Sequence, residues 1–153
     1  MPTTAYDENN IFAKILRGEI PCYKVYEDDA TLAFMDLMPQ SDGHVLVLPK
    51  SPSRNLLDAD PRVLAALIAR VQKIARAVKE AMAAEGITIV QYNEDAAGQT
   101  VYHLHFHIIP RWSNVALRTH GRGQAKAEVL EGFRQKIAGA IDTGHESNDQ
   151  KAL

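Results

Sequence analysis

The chain has 153 residues, 46% of them apolar and 24% charged. That is an ordinary globular composition, with enough length to bury a core without a disulfide or a metal. The formal charge of −2 excludes the broad basic field of a nucleic-acid binder, so any phosphate handled here must meet a local site. No apolar run approaches the roughly 20 residues of a membrane helix, and the polar, acidic start MPTTAYDENN is unlike a secretory signal. The single cysteine, Cys22, suits a reducing compartment. The sequence therefore reads as a soluble, cytoplasmic protein of one domain over 1–153, with its core at about 10–112 and a C-terminal extension, frayed at its end, over 113–153.

In chain order, Asn10 to Arg17 predicts a short helix with Ile11, Phe12, Ile15 and Leu16 on one face and Gly18 ending it. Tyr23 to Tyr26 and Thr31 to Met35 form a hairpin pattern. Pro39 to Gly43 carries loop signals, and His44 to Leu48 is a buried strand stopped by Pro49. Asp60 and Pro61 open one long helix, with Leu64, Leu67, Ile68, Val71, Ile74, Ala75, Val78 and Met82 on its core stripe. Gly86 lies past the end of that helix. Ile87 to Tyr92 is a further strand, Asn93 to Gln99 a polar loop, and Val101 to Ile109 a central strand closed by Pro110. A last helix is expected from Lys126 to Ala140. The fold class is α+β, an antiparallel sheet of about five strands with one long helix and a short N-terminal helix.

His103, His105 and His107 alternate with Leu104 and Phe106. On a strand this spacing places three imidazoles on one face, about 6–7 Å apart, with an apolar back. Two chemistries fit: a shared metal ion, or a neutral imidazole attacking phosphorus. Crowded imidazolium ions repel one another, which holds at least one ring neutral near pH 7.

The run His103-Leu104-His105-Phe106-His107-Ile108-Ile109 resembles the signature of the histidine triad (HIT) superfamily of nucleotide hydrolases and transferases. Ile11 to Ile15, Gly18 to Pro21, Ala33 to Asp36, Pro39-Gln40, Gly43 to Lys50 and Asn93-Glu94 resemble its bacterial members as well. The resemblance implies that His105 is the nucleophile on the α-phosphorus. It makes His103 part of the network that orients His105, and His107 a phosphate contact that assists the leaving group. His44 is the fourth histidine of the cluster. It implies phosphate contacts from Asn93, Gln99 and Thr100, with Gly98 allowing close backbone approach, and a base pocket of Ile11, Phe12, Ile15, Phe34, Leu37 and Leu46. Asp36 would accept the ribose hydroxyls.

The activity implied is a purine nucleoside phosphoramidase that releases AMP. Dinucleoside polyphosphate hydrolysis, a nucleotide-dependent regulatory module and a metalloprotein on the same histidines are the alternatives. A homodimer is expected, with its sheet continuing across the interface, and no nucleic-acid or membrane partner. Many bacterial relatives carry a Cys-x-x-Cys for structural zinc. Asn10 and Ala13 stand at those positions, so neither a metal nor a cofactor is expected. Arg111, Arg118, His120 and Arg122 are candidates to meet a polyphosphate or leaving group, although a solvated basic surface is the more economical reading of them.

Overall fold

The computed structural model describes residues 5–119 and 123–151. Its elements are α1 (Ile11–Leu16), β1 (Lys24–Glu27), β2 (Thr31–Met35), β3 (Val45–Pro49), α2 (Pro61–Ala81), β4 (Gly86–Val90), β5 (Phe106–Arg111) and α3 (Ala127–Lys151). The five strands form one antiparallel sheet in the order β1-β2-β3-β5-β4. Strands β3 and β5 are thus neighbours in the middle of the sheet although nearly sixty residues separate them.

The two faces of the sheet take different cover because strand side chains alternate. Ala33, Met35, Val45 and Val47 face α2 and α3, packing with Leu67, Val71, Ile74 and Val78 of the first and Leu130, Ile137 and Ile141 of the second. Leu32, Phe34, Leu46 and Leu48 face the other way, onto Phe12 of α1. His107 pairs with Leu46, and Leu46 with Phe34. The histidine therefore emerges on the thinly covered α1 side, where a cleft can form.

Local signals explain most of the boundaries. The Asn10 side chain caps α1 by accepting from the Ala13 amide at 2.9 Å, and Asp60 caps α2 by accepting from the Arg62 amide at 2.8 Å. Gly43 enters β3 at φ +87, where a Cβ would sit 2.7 Å from Met82 Cγ. Only glycine lets the loop approach α2 so closely in the left-handed region.

Three expectations need correction. The central strand does not run from Val101 to Ile109 but over Phe106–Arg111, passing through Pro110. Its ladder with β3 begins at Phe106 opposite Val47. Beyond that point β3 ends in Pro49, which has no N–H to give, and Leu104 N–H turns to the Ser53 carbonyl at 2.9 Å instead. Pro110 is tolerated because β3 no longer pairs at that level. Helix α3 continues past Ala140 to Lys151. Ile68, placed on the core stripe, is 52% exposed, and Ala77 is buried on that helix instead. No helix among the described residues is long and apolar enough to cross a membrane.

The β1–β2 turn supplies an acid-sensitive tie. Asp28 accepts from Arg70 Nε at 2.9 Å, Tyr26 Oη at 2.7 Å and the backbone amides of Ala30 and Thr31. Burial opposes its ionisation, but the bonds from Tyr26, Arg70 and Ala30 together with the Arg70 charge outweigh that and lower its carboxyl to about 2. A carboxylate depressed on folding stabilises above its unfolded pKa of about 4 and loses that contribution as pH falls through its folded value. Urea midpoints of wild type and Asp28→Asn are expected to differ at pH 6 and to converge between about pH 4 and pH 2. A constant gap across that window would contradict this.

Candidate active site

A cleft of about 180 Å³ opens between α1 and the sheet. Ile11, Phe12, Ile15, Phe34, Leu37 and Leu46 line it together with Asp36, Thr100, His105 and His107, so the whole expected base pocket converges on one place. Ile20, Pro21, Cys22, Met35, Met38 and Val101 also line it. Their lining role was not read from the sequence.

Hydrogen-bond partners fix the proton positions on the histidines, because a backbone carbonyl only accepts and an amide only donates. His105 Nδ1 lies 2.6 Å from the His103 carbonyl, so Nδ1 carries the proton and Nε2 is the basic nitrogen. His103 Nε2 lies 2.7 Å from the Pro49 carbonyl and donates to it, which leaves Nδ1 as the acceptor. Gln40 N–H donates to His44 Nδ1 at 3.0 Å. His44 must then carry its proton on Nε2, and it gives this to His107 Nδ1 at 2.9 Å. Neutral His107 accordingly holds its own proton on Nε2. One ring offers a lone pair and its neighbour, 5.1 Å away between ring centroids, an N–H.

All four rings are buried. Burial is the main reason that His103 is lowered to about 4; the Pro49 carbonyl opposes this and the neighbouring His105 adds to it. The expectation of a neutral ring therefore holds for His103, but from desolvation more than from crowding. Phe12 meets His105 edge-on at 4.8 Å, and Tyr92 meets His107 at 5.6 Å. The three rings do not form one imidazole face of a strand, since only His107 lies within β5.

Asp36 directly follows β2, with its Oδ1 accepting the Met38 amide at 2.8 Å and its Oδ2 3.5 Å from His44 Nε2. The polar loop contributes less directly than expected. Gln99 is buried and does not line the cleft. Its amide donates to the Arg54 and Val101 carbonyls and accepts from Asn55 Nδ2 and Glu94 N, so both of its N–H bonds are committed within the protein. Asn93 is engaged with Gln91 and the Leu56 amide. Gly98, at φ +105, closes the 3-10 turn Asp95–Ala97. Arg111 ends β5, and Arg118 is held by Asp42 at 2.6 Å. His120 and Arg122 lie outside the described residues.

Asp36, His44 and His107 bring three potential metal-ligand atoms within 4.8 Å of one another. The donor chemistry does not fit a divalent ion. The Gln40 amide occupies His44 Nδ1 and keeps the proton on Nε2, the atom that a metal would need deprotonated.

Comparison with known proteins identifies the family. Residues 17–114 match the HIT domain, and the chain belongs to the HIT family. A HIT-like protein from Bartonella henselae, described as involved in cell-cycle regulation, superposes with a TM-score of 0.83 at 57% identity, over 89% of this chain and 99% of that one. A zinc-bound histidine triad family protein from Mycobacterium smegmatis superposes with a TM-score of 0.80 at 30% identity, over 91% and 97% of the two chains. An adenylylsulfatase of Arabidopsis thaliana, HINT3, is 40% identical over 72% of this chain, which spans only 59% of the plant protein's length.

Proposed function

We propose that the protein hydrolyses or transfers nucleoside 5′-phosphates at the α-phosphorus through a covalent nucleotidyl-His105, releasing AMP from purine nucleoside phosphoramidates. The observation that carries this reading is the bond from His105 Nδ1 to the His103 carbonyl, which turns a basic Nε2 into an apolar cleft sized for a base. Nε2 attacks phosphorus as the phosphorus–nitrogen bond to the leaving amine breaks, and the amine takes up a proton that the water of the second step returns. Water then opens the phosphorus–imidazole bond and restores the imidazole. His107 presents its Nε2–H to a phosphoryl oxygen, His44 holds His107 in that tautomer, and Thr100 adds a hydroxyl. Asp36 accepts the ribose hydroxyls. No step calls for a cofactor.

The adenylylsulfatase name of the plant relative favours a second reading, in which sulfate is the leaving group on the same intermediate. Denaturing quench at alkaline pH during turnover, where a phosphorus–imidazole bond survives, should trap a nucleotidyl adduct on the peptide that holds His105. A panel of an adenosine phosphoramidate, diadenosine polyphosphates and adenosine sulfatophosphate then ranks the leaving groups. Turnover without any adduct under single-turnover conditions would refute the covalent mechanism.

We read the protein as a cytoplasmic homodimer whose sheet continues across the interface. The edge position of β4, with Ile89 40% exposed, supports that arrangement. Light scattering after size exclusion is expected to give twice the 16.9 kDa chain mass, and a monomer at micromolar concentration would reject it.

A further inference from the structure

We propose that Tyr6 is a positioning residue for the nucleophile, acting through His103; this rests on the reading of His105 given above. Tyr6 Oη lies 2.5 Å from His103 Nδ1, and the two rings meet edge-on with centroids 5.6 Å apart. The Pro49 carbonyl claims the proton on the other nitrogen, so Nδ1 is an acceptor and the Tyr6 hydroxyl donates to it. A fully buried imidazole is thus gripped at both nitrogens, by groups 97 and 54 positions away in the chain. The backbone carbonyl of that same residue sets the His105 tautomer. Holding the His103 ring at both nitrogens pins residue 103 in place, and with it the carbonyl that orients the nucleophile.

The segment that carries Tyr6 is built to hold it there. Asp7 Oδ1 accepts the Asn9 amide at 2.8 Å, and the Asp7 carbonyl accepts from both the backbone and the side-chain nitrogens of Asn10. Arg17 adds a bond of 2.7 Å to the Glu8 carbonyl. Asn10 then caps α1, which sets Phe12 against the edge of His105. One short strap therefore constrains the nucleophile twice, at its ring through Phe12 and at its proton through Tyr6 and His103. Tyr6 does not line the nucleotide cleft, so its influence on turnover runs through His103 and leaves substrate binding alone. The low pKa of His103, about 4, is consistent with a ring kept neutral as an acceptor.

Tyr6→Phe keeps the aromatic contact and removes only the donor. The full-length variant and wild type are compared by thermal unfolding, by kcat and KM on an adenosine phosphoramidate, and by 15N spectra of the histidine rings near pH 7. Expected are a kcat lowered about tenfold with KM within about twofold. His105 should also pass from a single Nδ1–H tautomer to a mixture. A variant with a single His105 tautomer and kcat within about twofold of wild type overturns the proposal, and so does a loss confined to KM. If wild type turns over none of the nucleotides, the spectra decide alone: a tautomer mixture in the variant supports the role of Tyr6, and a single tautomer overturns it.

Discussion

Replacing His105 by alanine is expected to lower kcat by at least about 10³-fold while the protein stays folded and still binds AMP. Of the four clustered histidines, His105 is the one that the geometry offers as nucleophile. His103 Nε2 is buried against the Pro49 carbonyl, the His44 nitrogens are taken by Gln40 and His107, and His107 Nδ1 accepts from His44. His105→Asn tests the same point more finely. Its side-chain amide can still donate to the His103 carbonyl, so packing and the local turn survive while the attacking nitrogen is gone. The measurement is single-turnover kinetics together with AMP affinity by calorimetry. Turnover within about tenfold of wild type in either variant would remove His105 from the chemistry, because water alone does not replace a nucleophile within that margin.

Much of this site was legible in the sequence because its signals are local. The alternation of His103, His105 and His107, the apolar face of the helix from Asn10 and the Asp60-Pro61 start are short-range patterns, and both helices they announce are present, while the base pocket came from the family resemblance. The structure adds what depends on distant partners. Gln40 and Pro49 set the tautomers of His44 and His103 through backbone groups, and a backbone N–H or carbonyl leaves no mark in a residue pattern. Tyr6 reaches His103 across 97 positions, out of a stretch that the sequence marks only as polar and acidic. The strand error has the same origin. The segment Val101 to His105 has strand-like alternation, but its neighbour runs out at Pro49, and a strand without a partner is not a strand.

Gln99 is where the sequence reading and the structure lead to different experiments. As a phosphate donor it would lower activity when removed and leave stability alone. In the structure its side chain is 2% exposed and makes four hydrogen bonds, of 2.7 and 3.1 Å from its nitrogen and 3.1 and 2.7 Å to its oxygen. It ties the Arg54 and Val101 carbonyls to Asn55 and to Glu94, a non-glycine residue held at φ +74. Gln99→Ala strands these groups in a space where entering water can repair only some of them. The expected cost is about 2–4 kcal/mol, a fall in Tm of about 5–10 °C for a chain of this size. Thr100 and Val101 follow directly in the chain and line the cleft, so kcat/KM of the folded variant should fall as well, by a smaller factor than the His105 variants show. Gln99→Glu sharpens the comparison, since it keeps the shape and the acceptor but deletes both donors and adds a buried charge. It should be at least as destabilising as the alanine variant. If both variants melt like wild type and lose only nucleotide affinity, Gln99 is a ligand after all and the loop is held by something else.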